Sequence, residues 1–392
     1  MKIPNHSIVF PGFILLLVVS LYGCGHQDSA SSGEASSRAG SGSKELQKTS
    51  VRYARLFSVE YKNQAKILRI RDPFDPSKTL KTYLLLPTGV EPARELPEGQ
   101  IVRTPLNQVA LAQTTHIGFF NELNLLKTIQ GVSQKRYVKN EKIRRQIDSG
   151  KIEEFGPSHN INVERLLQIN PQVLFVAPFK NNQYKKVRDV GIPIAVNSSY
   201  MENTPLARAE WIKFMACFFN KEATANRIFD SIASGYHRLK RRVDQQGARP
   251  TIFSGKKIGQ VWYVPGGDSY MAHFFEDAGA RYLWRDNQQT GSLELDFETV
   301  FYKAQSADYW LMKENPQGNY SYARLKAENT HYKEFKAFQQ RRILFCNTRT
   351  QPYYEEGILE PEVILADLIS ILHPELLKDH QNKYYQLLDG TQ

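Results

Sequence analysis

The chain has 392 residues, enough for two ordinary domains with separate cores. Its composition is globular, with 41% hydrophobic, 11% aromatic and 23% charged residues, which excludes a low-complexity or fibrous chain. A net charge of +11 admits nucleic acid, an anionic membrane surface or an acidic ligand as partner. Clusters such as "KRYVKNEKIRR" (135–145) and "YKKVR" (184–188) also read simply as solvated helix faces.

The N-terminus speaks to the compartment. "MKIPNHSIVFPGFILLLVVSLYGCGHQ" has a basic start, an apolar stretch from Ile8 to Leu21 and small residues ending at Cys24. The apolar stretch is short for a membrane span and suits a signal peptide over residues 1–23. "LYGC" resembles the lipobox of bacterial lipoproteins, which implies lipidation of Cys24, although Tyr22 is bulkier than the residue usual there. An ordinary secretory signal with an incidental cysteine is the competing reading. Residues 24–48 are rich in Ser, Gly and Ala and read as a flexible tether, holding the rest about 25–30 Å from the lipid. The expected location is the bacterial cell envelope, lipid-anchored on the periplasmic side, with no nucleic-acid partner. Cys217 and Cys346 stand far apart, outside any metal-ligand spacing, and read as buried apolar residues.

Past the tether, 49–105 is β-rich: "FSVEYKNQAKILRIRD" (57–72) and "LKTYLLLP" (80–87) alternate apolar and polar residues and predict antiparallel strands. From Gln108 strands and helices alternate. "QVALAQTT" is a strand, "HIGFFNELNLLKTI" a helix, "GVSQ" a short strand, "VERLLQIN" a helix, "QVLFVAP" a strand, "YKKVRDVG" a helix and "IPIAVN" a strand. "LARAEWIKFMACFFN" (206–220) is apolar on most faces and predicts a deeply packed helix. A helix over 221–243 follows, roughly 34 Å long and able to cross between two domains. The alternation then resumes with "TIFSG", "SYMAHFFEDAGA", "FETVFYKAQ", "ADYWLM", "HYKEFKAFQQ", "RILFCN" and "PEVILADLISIL". The expected fold class is α/β: two lobes, 106–220 and 244–392, with open, mostly parallel sheets flanked by helices, joined by one long rigid α-helix and preceded by the extra β-rich segment.

Catalytic signatures are absent: there is no GxxxxGK loop, GxSxG elbow, HExxH or zinc spacing, so no catalytic residue, metal site or cofactor is expected. "YVPGGDSYMA" (263–272) has paired glycines ahead of a helix, which could cradle an anion on the helix N-terminal amides, but Pro-Gly-Gly is more often just a turn. Aromatic residues in the predicted strand-to-helix loops stand out instead, because open parallel sheets bind ligands beyond the carboxyl ends of their strands. The candidate cleft residues are His116, Tyr137, Phe179, Lys180, Asn181 and Tyr200 in the first half, and Trp262, Tyr263, Tyr270, Tyr353 and Tyr354 in the second. Aromatic faces suit a large, flat or partly apolar ligand, and lysines suit acidic groups on it. Glu164 and Glu298 each open a helix on the expected cleft-side rim of their own lobe. The helix dipole alone favours a carboxylate there; two such carboxylates also match two positive sites on a partner gripping both lobes.

The stretch "GVSQKRY…KIEEFGPSHNINVERLLQINPQVLFVAP…VRDVGIPIAV" resembles the N-terminal lobe of the helical-backbone (class III) substrate-binding proteins for cobalamin, ferric siderophores and haem, which feed ABC importers. Asn162, Glu164, Pro171 and Val173 match that pattern, and "LDFETV…ADYWLM" and "DLISILHPEL" carry the resemblance into the second half. The resemblance implies that Glu164 and Glu298 dock onto arginines of an ABC permease. It also implies an organic metal chelate as ligand, a membrane anchor through the N-terminal lipid, and a receptor rather than an enzyme. The β-rich segment and the basic charge depart from the familiar pattern and leave the ligand open. A bare metal ion held by His116 and His159 is disfavoured by sparse histidines. An envelope enzyme or chelatase using Asp268, His273 or Glu355, or a lipoprotein that holds a partner protein, are the rival readings.

Overall fold

The computed structural model describes residues 48–180, 184–245, 247 and 249–389. The signal peptide, Cys24 and nearly all of the tether therefore lie outside the described residues. The β-rich segment forms a four-stranded sheet, β1 (Phe57–Lys62), β2 (Ala65–Asp72), β3 (Asp75–Pro87) and β4 (Gln100–Thr104), in that order. β1, β2 and β3 are antiparallel as their alternation predicts, whereas β4 returns parallel to β3.

The first α/β half holds β5 (Val109–Leu111), β6 (Ile129–Val132), β7 (Glu153–Glu154), β8 (Val173–Val176) and β9 (Ile194–Val196). They pair in the order β7-β6-β5-β8-β9, every pair parallel. Its helices are α1 (His116–Glu122), α2 (Glu141–Asp148), α3 (Val163–Ile169) and α4 (Lys185–Asp189). The strands are apolar at successive positions because both faces are covered. Val109, Leu111, Val173 and Phe175 pack into the main core, and Ala110, Leu174 and Val176 into a smaller one with Leu166 and Val187. The helix expected over 116–129 stops early. Asn124 takes a left-handed conformation (φ 57°), and the chain continues as a short 3-10 turn into β6.

α5 (Pro205–Cys217) is buried on every side and α6 (Glu222–Val243) lies along it. The second half holds β10 (Thr251–Ser254), β11 (Lys257–Ile258), β12 (Val261–Pro265), β13 (Arg281–Tyr282), β14 (Ser292–Leu295), β15 (Tyr309–Glu314), β16 (Ile343–Asn347) and β17 (Gln386–Leu387). β13-β10-β15-β16-β17 form a second five-stranded sheet, parallel except for β17. β11, β12 and β14 form a small antiparallel sheet that local patterning did not announce. The helices here are α7 (Tyr270–Asp277), α8 (Phe297–Ala304), α9 (Tyr322–Glu328), α10 (Lys336–Gln339) and α11 (Pro361–Leu372). One apolar cluster runs through both halves and the N-terminal sheet, while the other face of the first parallel sheet keeps the smaller core.

The N-terminal sheet seats Phe57 and Tyr83 against Trp211, Phe214 and Phe218 at the face of α5, with ring centroids 4.7–6.3 Å apart. Two carboxylates clasp the chain just ahead of β1. Glu210, fully buried on α5, accepts the N–H groups of Arg52 (2.9 Å), Tyr53 (2.6 Å) and Ala54 (2.9 Å) and the Lys213 ammonium at 2.8 Å. Glu202 accepts the N–H groups of Arg55 (3.0 Å) and Leu56 (2.9 Å) and the Trp211 indole N–H at 3.1 Å. Removing a carboxylate so enclosed strands three amides and a buried cation. Glu210→Ala is therefore expected to lower unfolding stability by about 4 kcal/mol, read as a drop in urea midpoint at unchanged slope; a loss below about 1 kcal/mol would mean the clasp is dispensable.

Candidate functional site

The carboxyl ends of the parallel strands in both five-stranded sheets converge on one cavity of about 490 Å³. β5 leads to Gln113, Thr115 and His116; β8 to Ala177 and Phe179; β9 to Asn197, Ser199 and Tyr200. From the other half, β15 delivers Lys313 at its end, and the loop after β16 delivers Tyr353, Tyr354 and Ile358. Arg208 on α5 and Tyr270 opening α7 complete the wall. This is where an open parallel sheet places its ligands. A second cavity of about 470 Å³ shares Tyr200, Arg208, Tyr270 and Lys313 and extends to Tyr263. A third, of about 730 Å³, shares Thr115, Lys313 and Tyr354 and extends to Arg136, Tyr137, Lys139 and Arg349. Lys313 lines all three. No residue of the 49–105 sheet lines any of them.

His116, Phe179, Tyr200, Tyr270, Tyr353 and Tyr354, all expected from sequence, thus come together, with Tyr263 and Tyr137 in the adjoining cavities. Trp262 does not belong with them. It is fully buried, donates its indole N–H to the Ser254 carbonyl at 3.1 Å and packs among Phe253, Trp310, Tyr332 and Phe335. Successive side chains on a strand point to opposite faces, so Tyr263 on β12 turns outward where Trp262 turns in. Lys180 is exposed and lines none of the three cavities, and Asn181 lies outside the described residues. Glu164 and Glu298 are exposed in the first turns of α3 and α8. The caps of those helices are Asn162, accepting from Arg165 N at 3.0 Å, and Asp296, accepting from Thr299 N at 2.6 Å, so neither glutamate is spent on capping.

The acid–base candidates of the enzyme reading are scattered. Asp268 pairs with His273 at 2.9 Å outside these cavities. Glu355 spends its carboxylate on the N–H groups of Lys139 and Asn140. Among the described residues no group of three or more His, Cys, Asp or Glu is placed to hold a metal ion. Cys217 and Cys346 are free and buried.

Two cations in the wall were not singled out from sequence. The Arg208 Nε donates to the Glu202 carbonyl at 2.8 Å, and its guanidinium lies 3.9 Å from the Tyr270 ring centroid. The Lys313 ammonium lies 4.8 Å from the Tyr353 ring centroid. Among the described residues neither has a carboxylate within salt-bridge distance, and no Asp or Glu lines the central cavity. Burial pushes the Arg208 pKa down, and pushes Lys313 down to about 8, where Cys346 opposes the shift and Arg208 adds to it. Burial also lowers His116 to about 3, leaving it neutral at pH 7 with its Nδ1 unpartnered. Tyr270 is raised to about 12 by burial and Tyr353 well above its ordinary value, so both phenols stay protonated. A separate cavity of about 450 Å³ between α1, α6 and residues 356–362 is acidic instead, walled by Glu122, Glu356, Glu360 and Glu362.

A family model described as "Periplasmic binding protein" matches residues 109–350. The chain belongs to that family. Its helical-backbone class is shared with solved structures of 14–16% sequence identity. A periplasmic haem-binding protein from Pseudomonas aeruginosa has a TM-score of 0.58, with 73% of this chain and 99% of that one covered at 14% identity. A molybdate periplasmic binding protein of an ABC transporter from Haemophilus influenzae has a TM-score of 0.56, with 71% and 89% covered at 16% identity. Among sequence relatives, an uncharacterized lipoprotein of Methanocaldococcus jannaschii is 29% identical over 297 residues, 73% of this chain and 70% of that protein. A second from the same organism is 25% identical over 319 residues, 77% of this chain and 78% of that protein. The family serves ABC importers on the extracytoplasmic side and pairs with membrane permeases. Among the described residues no helix is long and apolar enough to cross a membrane.

In this periplasmic binding protein the partly buried Lys313 has its charged form disfavoured by desolvation. Its folded pKa of about 8 lies below the unfolded value of about 10.4, so between those values the unfolded state binds more protons and stability rises with pH. Lys313→Met is therefore expected to melt higher than the parent at pH 7, the gain shrinking as pH is raised from 8 towards 10; a pH-independent difference would place Lys313 in a solvated setting.

Proposed function

We propose that the protein is a lipid-anchored receptor that captures an organic metal chelate at the convergent strand ends and delivers it to an ABC permease. The observation that carries this reading is the aromatic cavity built from both sheets, whose side chains suit a large, flat or partly apolar ligand. The similar structures include proteins for haem and for a ferric hydroxamate, and the chain shares their fold. Anchoring is assigned to Cys24 and its tether, which fits relatives named as lipoproteins.

Docking is assigned to Glu164 and Glu298. α3 runs into β8 and α8 into β15, so both helices start on the side where those strands end. Each carboxylate is exposed and free of capping duty, which suits pairing with a cation on the permease. The 49–105 sheet, remote from the cavities, belongs to the scaffold in this reading.

Titrating haem, cyanocobalamin and ferric siderophores while following the visible spectrum should give saturable binding of one of them at micromolar concentration or tighter. Saturation by none would direct attention to another ligand class or to a partner-holding role. In cells, Glu164→Arg combined with Glu298→Arg is expected to abolish uptake with ligand affinity unchanged. Lost affinity in the double variant would instead place these residues at the ligand.

A further inference from the structure

We infer that Arg208, Lys313 and Asn197 form an anion subsite, which selects ligands presenting a carboxylate or other oxyanion to the floor of the central cavity. The inference deepens the receptor reading and rests on it only for the identity of the cavity as the binding site.

Three independent features point the same way. Arg208 and Lys313 both line the cavity and come from different halves of the molecule. The Lys313 ammonium lies against the Tyr353 ring, and the Arg208 guanidinium against the Tyr270 ring, with its Nε on the Glu202 carbonyl and no carboxylate of the described residues within salt-bridge distance of either. Among the described residues no acidic side chain lines that cavity. Asn197, 1% exposed, adds a donor: its Oδ1 accepts the Ser199 N–H at 2.8 Å, which fixes the amide, and its Nδ2 has no partner.

Cations held at low dielectric without counterions are unfavourable, and a neutral or cationic ligand that displaced water from them would make this worse. An acidic ligand reverses the sign. Its oxygens accept charge-assisted hydrogen bonds from the guanidinium and ammonium and a further one from Asn197 Nδ2. The protonated Tyr270 and Tyr353 frame the anion with rings and hydroxyls rather than phenolates. Neutral His116 contributes no charge.

The oxyanion has two possible sources: acidic groups on a chelate, or a free oxyanion. The test is calorimetric titration of the full chain, and of its Lys313→Met, Arg208→Gln and Asn197→Asp variants, with haemin, ferric citrate, citrate, molybdate and the neutral chelate ferrichrome. Lys186→Met, an exposed change on α4, is the control. At least one acidic probe should bind the parent and control alike, and lose about 10-fold or more in affinity in each variant. Asn197→Asp keeps size and the Ser199 bond while replacing the donor with a charge, so it remains informative where Arg208→Gln misfolds. Binding of haemin or ferric citrate without citrate or molybdate assigns the anion to the chelate. Binding of citrate or molybdate without any chelate retains the subsite and overturns the chelate reading. Preferential binding of ferrichrome, unchanged across the variants, overturns the subsite and leaves the chelate reading standing. Failure of every acidic probe to bind the parent overturns the subsite.

Discussion

The clasp of Glu202 and Glu210 on the backbone of residues 52–56 is the constraint on which much of the molecule depends. A carboxylate with no exposure to solvent is tolerated only when its lone pairs are filled, and here backbone amides, an indole N–H and the Lys213 ammonium fill them. The result is positional. The N-terminal sheet is locked to α5, Tyr83 reaches across to accept the Val196 N–H at 2.9 Å, and the edge of the first parallel sheet is thereby tied to a segment that touches no cavity. Glu202 serves twice, because its backbone carbonyl also takes the Arg208 Nε. The N-terminal sheet thus reaches the cavity floor through one residue.

The α/β alternation was legible because strands buried on both faces are short apolar runs, and the helices between them carry caps and periodic apolar residues. Asn162, Thr204, Ser269 and Asp296 all cap where sequence placed a helix start. What escaped had weak local signals. α2 buries only Ile143 among charged neighbours, so its sequence looks like a basic surface cluster. The small antiparallel sheet joins β12 to β14 across a long separation, and β14 is only four residues long with no buried position. Pairing of that kind is decided by tertiary packing, which no local window contains.

For the cavity, the topological rule did most of the selection: aromatics following strand ends were found because parallel strands aim their loops at one edge. The rule does not settle the parity of a side chain, which is why Trp262 and its neighbour Tyr263 were grouped together although the pleat separates them. Arg208 and Lys313 are harder still. One sits in a helix that reads as core and the other ends an apolar strand. A basic residue in either place resembles dozens of solvated ones until the surrounding carboxylates are located. What identifies a functional charge is the absence of a partner, a property of the folded neighbourhood rather than of the sequence.

The walls of the cavity are also fastened to each other. Glu355, in the loop that carries Tyr353 and Tyr354, accepts the N–H groups of Lys139 and Asn140 from the opposite half, and the Lys139 ammonium returns to the Arg349 carbonyl. Gly118 on α1 sits so close to the Glu355 carbonyl that a Cβ there would lie 1.8 Å from its oxygen. With α6 packed along both α5 and α11, these contacts oppose a wide hinge and leave accommodation to side chains. Rigid walls have an electrostatic consequence. Partly buried cations with no carboxylate within salt-bridge distance carry a desolvation cost in the empty state, and folding elsewhere, including the clasp on α5, offsets it. Selectivity for an acidic ligand then needs no large closure, since the field that recognises it is fixed before the ligand arrives.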